Sequence, residues 1–343
     1  MTQHVAPGPE IAAGNPVLAE VVRSGFTESR HRGAIAAVGP DGAALRHPGT
    51  AAPMRAGAVD VPMFPRSSNK PMQAAAMLRC GLALDGSLLA LAAASHSGED
   101  FHVAGVREIL ASAGLTEDAL QCPPDLPLDE EARHGLLRAG GGKDRVHMNC
   151  SGKHAAMLAT CVAAGWRIDS YTDPGHPLQV EIRKTIERLA GEPVAAVGVD
   201  GCGAPLFALS LTGLARAFGA LVRADPGSPE RRVADAMRAH PAWTSGTSRP
   251  DRRLVEAVPG LLLKSGAEGV EALALADGRA AAFKIDDGDG AGRARTAVSV
   301  ALLRALGADD GPGTDRATLG ALARPAVRGG GRDVGEIRAT LPF

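Results

Sequence analysis

Residues 271–285 read EALALADGRAAAFKI. Two apolar runs flank the dipeptide Asp277-Gly278, an arrangement typical of a β-hairpin. Two more strand-like runs lie near the start of the chain, at 18–23 and 34–38. Strands at both ends of the chain predict one antiparallel sheet that both ends build together.

The middle of the chain shows apolar residues at helical spacing instead. We therefore predict an α+β fold in which a helical region is inserted between two halves of a sheet; the rival is two α/β layers in tandem. Two local predictions are a turn with surface charges at 28–33 and a helix at 206–222. The predicted boundaries are a flexible leader at 1–15, a single domain at 16–310 with sheet residues at about 18–60 and 255–310 and helices at about 67–240, and a C-terminal tail at 311–343.

Composition excludes several classes of protein. The 343 residues include 37 Lys and Arg and 38 Asp and Glu, so a net charge of −1 offers no strong field to attract nucleic acid or an anionic membrane. Aromatic residues make up only 3%, which predicts an aliphatic, alanine-rich core. The sequence has no membrane-spanning apolar run and no signal-peptide pattern, and its five cysteines are typical of free or metal-bound thiols. We predict a cytoplasmic protein with no nucleic-acid or membrane partner.

The pair Ser67 and Lys70 is the first candidate for catalysis. Residues three apart share one face of a helix. A serine hydroxyl is a weak nucleophile until a base removes its proton, and a buried lysine can be that base. The alternative is that Ser67 only caps a helix.

A second hydroxyl and a second lysine are candidates for proton transfer. Ser95 and Ser97 follow an apolar helical run, where either side chain could relay a proton or cap the helix end. Lys264 follows an apolar run and precedes the small residues Ser265 and Gly266, where a substrate can approach the backbone. A solvated lysine at the end of a strand is the alternative.

The cysteines Cys150 and Cys202 are candidates for a soft metal site. Cys150 shares a helix face with Lys153, and Cys202 lies about fifty residues further on. Two thiols are too few for structural zinc, so His154, Asp200 or a neutral Lys153 would have to be the third ligand. The alternative is a pair of buried reduced cysteines. The sequence has no phosphate-binding or dinucleotide-binding motif.

The order of these motifs resembles the asparaginase II family, the Rhizobium etli-type L-asparaginases. The similarity extends from about residue 18 to about residue 306. The motifs that carry it are Glu28-Ser29-Arg30-His31-Arg32-Gly33, Pro65-Arg66-Ser67-Ser68-Asn69-Lys70-Pro71-Met72-Gln73, Ala94-Ser95-His96-Ser97-Gly98-Glu99, Cys150-Ser151-Gly152-Lys153-His154, His176-Pro177-Leu178-Gln179, Asp200-Gly201-Cys202-Gly203-Ala204-Pro205 and Lys264-Ser265-Gly266-Ala267-Glu268-Gly269.

The resemblance implies a fold similar to serine β-lactamases and glutaminases, and hydrolysis of L-asparagine to L-aspartate and ammonia. It implies a homodimer and a zinc ion near the site. The residues it implies are Ser67 as nucleophile, Lys70 as its base, Ser95 and Lys264 as a second pair, and Cys150, Lys153 and Cys202 as zinc ligands with Asp200 close by.

Several assignments stay open at this point. Ser97 is an alternative to Ser95, and Lys284 to Lys264. The substrate contacts we expect are made by Arg66, Ser97, Asp200 and Gly201, with Arg66 or Lys264 facing the α-carboxylate and Asp200 the ammonium group. The chain departs from the family pattern after Cys122, where we expect a surface loop of different shape. The alternative functions are a thiol- or zinc-dependent amidohydrolase acting on glutamine or another small amide, and a non-catalytic, zinc-stabilised binding protein.

Overall fold

A computed structural model describes residues 14–290 and 292–343 of the chain. The predicted leader at 1–15 therefore lies almost wholly outside the described residues. The strands are β1 (Val17–Arg23), β2 (Phe26–Val38), β3 (Arg55–Ala56), β4 (Ala196–Val199), β5 (Pro205–Ala208), β6 (Leu262–Ser265), β7 (Val270–Ala274), β8 (Ala280–Ile285), β9 (Ala326–Gly329) and β10 (Arg332–Ala339).

The helices occupy mainly the middle of the chain. They are α1 (Lys70–Arg79), α2 (Gly86–Ala92), α3 (Asp100–Ser112), α4 (Glu130–Arg138), α5 (Ser151–Ala163), α6 (Pro177–Ala190), α7 (Leu211–Arg223), α8 (Pro229–Ala239), α9 (Pro241–Thr244), α10 (Pro250–Ala257), α11 (Arg293–Ala305) and α12 (Arg316–Ala323). None of these helices, within the part of the chain that the structure describes, has the length and hydropathy to cross a membrane.

One antiparallel sheet joins the two ends of the chain. Its strand order is β6-β7-β8-β2-β1-β10-β9, with β3 also paired to β2. The join between the ends is the pairing of β2 with β8, from Gly33 opposite Ile285 to Val38 opposite Ala280. The predicted α+β architecture, an antiparallel sheet with a helical insertion, is confirmed.

Both faces of the sheet are covered. Along β2, Ala34 and Ala36 contact the helical insertion, while Ile35 and Ala37 contact the opposite layer. This alternation is the two-residue period of a strand. Helix α7 packs on the first face, and α10, α11 and α12 belong to the second layer.

Two local predictions are wrong. Strand β2 starts at Phe26, so the charged run 28–33 is strand rather than turn. Its side chains alternate between exposed and partly or fully buried, and Nδ1 of buried His31 donates to the Asp287 carboxylate at 2.7 Å. The predicted helix at 206–222 is also divided, because β5 takes up its first residues and α7 begins only at Leu211.

The C-terminal residues 311–343 are not a tail. They form α12, β9 and β10, and β10 pairs with β1 over Ala19–Arg23. Pairing with β1 gives β10 its backbone partners, whereas its own sequence, half of it charged, does not indicate a strand. The predicted domain boundary at 310 is therefore wrong.

Candidate active site

Ser67 lies in a short 3₁₀ turn, Arg66–Asn69, that leads directly into α1. The turn is fixed to β6, because the Ser68 hydroxyl donates to the Lys264 carbonyl oxygen at 3.1 Å. Arg66 has a φ of 51°, a left-handed conformation that is unfavourable for a residue with a side chain. Such strain persists only where surrounding contacts enforce it. Here the strained residue directly precedes Ser67, so its conformation helps to set the orientation of Ser67.

Lys70 begins α1, and its side chain is only 1% exposed. Its amine donates to the Ala94 carbonyl oxygen at 2.6 Å, the Ser95 hydroxyl at 3.0 Å and the Cys150 sulfur at 3.1 Å. Among the described residues it has no hydrogen bond to the Ser67 hydroxyl. The predicted pair therefore share a turn of the chain, while the direct partner of Lys70 is Ser95.

Ser95 lies between two lysines. The Lys264 amine donates to the Ser95 hydroxyl at 3.1 Å and to the Ser265 carbonyl oxygen at 2.7 Å. Burial, together with the charge of Lys70, lowers the pKa of Lys264 to about 7. A lysine with that pKa can both accept and donate a proton near neutral pH.

Ser67 and Ser95 line one cavity of about 440 Å³. Its wall comes from the β6–β7 connection, the loop before α11 and the segment before α10. The other lining residues are Leu128, Asn149, Arg249, Ser265, Gly266, Ala267, Glu268, Asp287, Gly288, Asp289, Gly290, Gly292 and Arg295.

The alternatives for the second pair lie elsewhere. Ser97 is 1% exposed, and its hydroxyl donates to the Ser245 carbonyl oxygen at 2.8 Å. Lys284 donates to the Glu268 carbonyl oxygen at 2.6 Å. Neither lines the cavity. The structure thus brings together Ser95 and Lys264, whereas Ser97 contacts the backbone and lies outside the cavity lining.

Arg66, Asp200 and Gly201 form a separate group beside the Ser67 turn. The Arg66 guanidinium donates to Asp200 at 2.8 Å, and the same carboxylate oxygen accepts from the Gly201 peptide N–H at 2.9 Å. Arg66 also lies 3.8 Å from Glu268. Because Arg66 and Asp200 neutralise each other, their main effect in this structure is to hold the strained residue that precedes Ser67.

The two cysteines of the predicted metal site meet next to Lys70. Cys150 precedes α5 and is 4% exposed, while Cys202 follows β4 and is 1% exposed. The Lys153 amine donates to the Cys202 sulfur at 3.0 Å. His154 packs beside Cys202, and its Nε2 has no hydrogen-bond partner within residues 14–290 and 292–343.

Charge in this cluster is unevenly shared. The contact between the two sulfurs raises the pKa of Cys150 and lowers that of Cys202. Burial alone would lower the pKa of Lys153, but the negative charge of Cys202 outweighs burial and raises it. The Cys202 sulfur and the Lys153 amine are therefore buried as a hydrogen-bonded pair.

The donor set fits a soft divalent metal. Among the described residues no group of three or more His, Cys, Asp or Glu side chains is arranged to bind an ion. The third ligand would have to be the Lys153 amine, which must lose its proton to bind. Two buried sulfurs, one amine and the unpartnered His154 nitrogen next to them are nevertheless ligands that zinc accepts.

Sequence reasoning missed the polar side chains that come to the cavity from distant segments. Asn149 had a signal, since it adjoins Cys150 in a motif already singled out. Arg249 and Arg295 had none, because each lies in a charged stretch typical of a solvated surface.

Known proteins are similar to this chain over most of its length. Residues 19–339 match the family model described as L-asparaginase II. No curated protein is significantly similar to the chain. A crystal structure of Mglu in its native form in the presence of 4.3 M NaCl is similar at 17% identity, over 88% of this chain and 66% of that one, with a TM-score of 0.41. A beta-lactamase from Mycobacterium bovis is similar at 14% identity, over 84% of this chain and 96% of that one, with a TM-score of 0.39.

Proposed function

Because the chain belongs to the L-asparaginase II family, we propose that it hydrolyses L-asparagine to L-aspartate and ammonia through an acyl-enzyme on Ser67. Family membership supports an amidohydrolase. The observation that supports a serine–lysine mechanism is the position of the Ser95 hydroxyl, 3.0 Å from Lys70 and 3.1 Å from Lys264, in the cavity that also holds Ser67.

In the first step, the Ser67 oxygen attacks the side-chain amide carbon of the substrate. The Ser67 proton passes through the Ser95 hydroxyl to the neutral Lys264 amine, 3.1 Å from Ser95. Lys70, whose amine already donates three hydrogen bonds, holds Ser95 in place instead of accepting that proton. The peptide N–H of Ser67 is our candidate donor to the oxyanion; one such donor contributes about 3 kcal/mol to transition-state stabilisation.

Ammonia then leaves with a proton that Ser95 and Lys264 supply. The pKa of about 7 suits Lys264 to this role, since an acid–base group works best when its pKa lies near the working pH. Water subsequently attacks the aspartyl ester, and the same groups act in reverse to release L-aspartate and restore Ser67.

A zinc ion, in this proposal, is held by Cys150, Lys153 and Cys202. Its positive charge would stabilise the two thiolates next to Lys70. The residues themselves keep Lys70 in place, since the Cys150 sulfur accepts a hydrogen bond from that amine at 3.1 Å.

The burial of the thiols argues against the thiol alternative. Cys150 and Cys202 are 4% and 1% exposed, and neither lines the cavity. Ser67 is partly exposed and does line it. A small amide therefore reaches the alcohol without rearrangement of the fold, whereas it would need one to reach either sulfur.

The test is release of ammonia and aspartate by the purified protein from L-asparagine, with L-glutamine in parallel. We expect equal amounts of the two products, and turnover of glutamine lower by about 10- to 200-fold because it has one additional methylene. Mass spectrometry of a rapidly quenched reaction should find the aspartyl adduct on the peptide that contains Ser67. If the protein releases ammonia from neither asparagine nor glutamine, the proposal is wrong.

A further inference from the structure

A guanidinium without a protein partner faces the candidate active site. Arg249 lines the cavity together with Ser67 and Ser95. Its Nε is buried and has no hydrogen-bond partner among the residues that the structure describes. A buried N–H without a partner costs free energy, and a site that binds a complementary group removes that cost when the ligand arrives.

Other cations around Ser67 are already engaged. Arg66 donates to Asp200 at 2.8 Å. Arg295 donates to the Gly266 carbonyl oxygen at 3.1 Å and lies 3.3 Å from Glu271. The Lys264 amine is held by Ser95 and its own strand. Arg249, by contrast, has no ion pair in the described part of the chain.

Asp251, in the first turn of α10, does not form an ion pair with Arg249, which directly precedes that helix. Asp251 accepts a hydrogen bond from the Ser265 hydroxyl. Burial alone would raise the pKa of Asp251, but Arg295, Arg249 and Lys264 nearby lower it, so Asp251 is ionised. It offsets part of the local positive charge while leaving the Arg249 nitrogens available.

The backbone that carries Arg249 is built onto the segment that carries Ser95. The Ser95 peptide N–H donates to the Thr244 carbonyl oxygen at 3.1 Å, and Ser97 donates to Ser245 at 2.8 Å. Glu99 accepts from the Thr247 peptide N–H at 2.9 Å. These bonds place Arg249 in a fixed register with Ser95.

Gly246 shows how tight this junction is. Its φ is 149°, and a Cβ there would lie 2.2 Å from the Ser97 hydroxyl. Only glycine fits without displacing the segment. Arg249 is therefore held on rigid backbone, which is what recognition of one group at a fixed distance from the reacting serine requires.

We infer that Arg249 binds the α-carboxylate of the substrate, so that the site selects small amides with a free carboxylate. This inference rests on the proposed function, because the distance that matters runs from Arg249 to the amide attacked by Ser67. A planar guanidinium matches a carboxylate with two parallel hydrogen bonds, which lysine cannot reproduce. The role that the sequence suggests for Arg66 or Lys264 thus passes to a residue outside the family motifs.

The test compares two substrates in two variants. The substrates are L-asparagine and 3-aminopropanamide, which keeps the amine and the amide but lacks the α-carboxylate. Arg249→Gln should lower kcat/KM for asparagine by about 100-fold, mainly through KM, and change that for 3-aminopropanamide by less than about 2-fold. The matched control is Arg253→Gln, an exposed arginine one turn along α10, which should leave both unchanged.

Two results would overturn the inference. One is unchanged kcat/KM for asparagine in Arg249→Gln. The other is an equal loss for both substrates, which would assign Arg249 to the fold or to the chemistry. Arg249→Lys guards against misfolding, because it keeps the charge and should retain an intermediate affinity for asparagine.

Calorimetry separates this inference from the proposed function. Wild-type protein that releases no ammonia from asparagine contradicts the function. Binding of L-aspartate then decides the inference alone: a loss of affinity of about 100-fold in Arg249→Gln supports it, and equal affinity, or no binding even to wild type, overturns it.

Discussion

Two buried lysines of this protein have pKa values that are shifted in opposite directions. Lys264 and Lys153 are 2% and 1% exposed. Burial and the charge of Lys70 lower the pKa of Lys264 to about 7. Burial acts on Lys153 in the same direction, but the neighbouring Cys202 thiolate raises its pKa instead. The charge of the neighbours, and not burial itself, therefore decides whether a buried amine can serve as a base.

Lys70 connects the surroundings of Lys264 with those of Lys153. Its amine donates to the Ser95 hydroxyl at 3.0 Å and to the Cys150 sulfur at 3.1 Å. The alcohol cluster (Ser67, Lys70, Ser95 and Lys264) opens to the cavity, whereas the thiol cluster (Cys150, Lys153 and Cys202) is closed behind it. We expect changes in the first to affect catalysis, and changes in the second to affect stability and metal content.

The largest effect should come from Ser67→Ala. Removing the proposed nucleophile should lower kcat for asparagine by about 10⁴-fold. The melting temperature should stay close to that of wild type, because Ser67 is only partly buried and its hydroxyl has no protein partner within the described residues. Ammonia release and a thermal melt measure the two quantities. Wild-type turnover in this variant would remove the alcohol cluster from the mechanism.

The second effect is that of Lys264→Met. Loss of a general acid–base group should lower kcat/KM by about 10²- to 10⁴-fold. In wild type we expect kcat/KM to rise as pH increases through about 7, because deprotonation of Lys264 supplies the neutral amine beside Ser95. The variant should lose that rise, as measured by a pH profile from 5.5 to 9, roughly the range in which such a group titrates.

Glu271 is the control for this profile. Burial raises the pKa of its carboxyl to about 7, so it titrates in the same range as Lys264. Glu271→Gln should keep the rise in kcat/KM. A rise that persists in Lys264→Met and disappears in Glu271→Gln would assign the ionisation to the carboxyl instead.

The sequence predicts the core of the alcohol cluster and the architecture around it. Strand-like runs at both ends and the Asp277-Gly278 turn indicate the sheet, because period and turn chemistry are local properties. Ser67 and Lys70 are visible for the same reason. The C-terminal strand β10 is not, because its pairing with β1 comes from the rest of the fold.

Contacts between distant segments could not be predicted from the residues. Ser95 and Ser97 are equivalent in the sequence, and contacts with distant segments distinguish them: Ser95 accepts from Lys70 and Lys264, whereas Ser97 donates to the Ser245 carbonyl oxygen. Arg249 likewise reaches the cavity because the segment 244–249 is fixed to the one carrying Ser95. The sequence pattern does not show which distant segments are hydrogen-bonded to each other.

The third effect concerns the thiol cluster. Purified wild type should contain about one zinc per chain, and Cys202→Ser should contain none, as measured by elemental analysis. A chelator should lower the melting temperature of wild type by several degrees, since a metal present at about 1,000 times its Kd stabilises the folded state by about 4 kcal/mol. The same chelator should not affect Cys202→Ser.

Cys161→Ser is the matched control for the metal. Cys161 is buried in α5, the helix that carries Lys153, and lies outside the thiol cluster. The Cys161→Ser variant should therefore bind as much zinc as wild type. If wild type contains no zinc and the chelator does not change its melting temperature, the prediction is wrong and Cys150 and Cys202 are reduced core cysteines.

The smallest effect should come from Ser97→Ala, which examines the border of the alcohol cluster. The lost hydrogen bond to Ser245 is buried and should cost about 1 kcal/mol of unfolding free energy. Because that bond holds the backbone leading to Arg249, KM for asparagine should rise by about 2- to 5-fold, the loss expected for a fraction of that free energy, while kcat stays unchanged. Ser95→Ala, two residues away, should lower kcat instead. If Ser97→Ala lowers kcat as much as Ser95→Ala does, Ser97 takes part in proton transfer, and the division between a hydroxyl that reacts and a hydroxyl that positions is wrong.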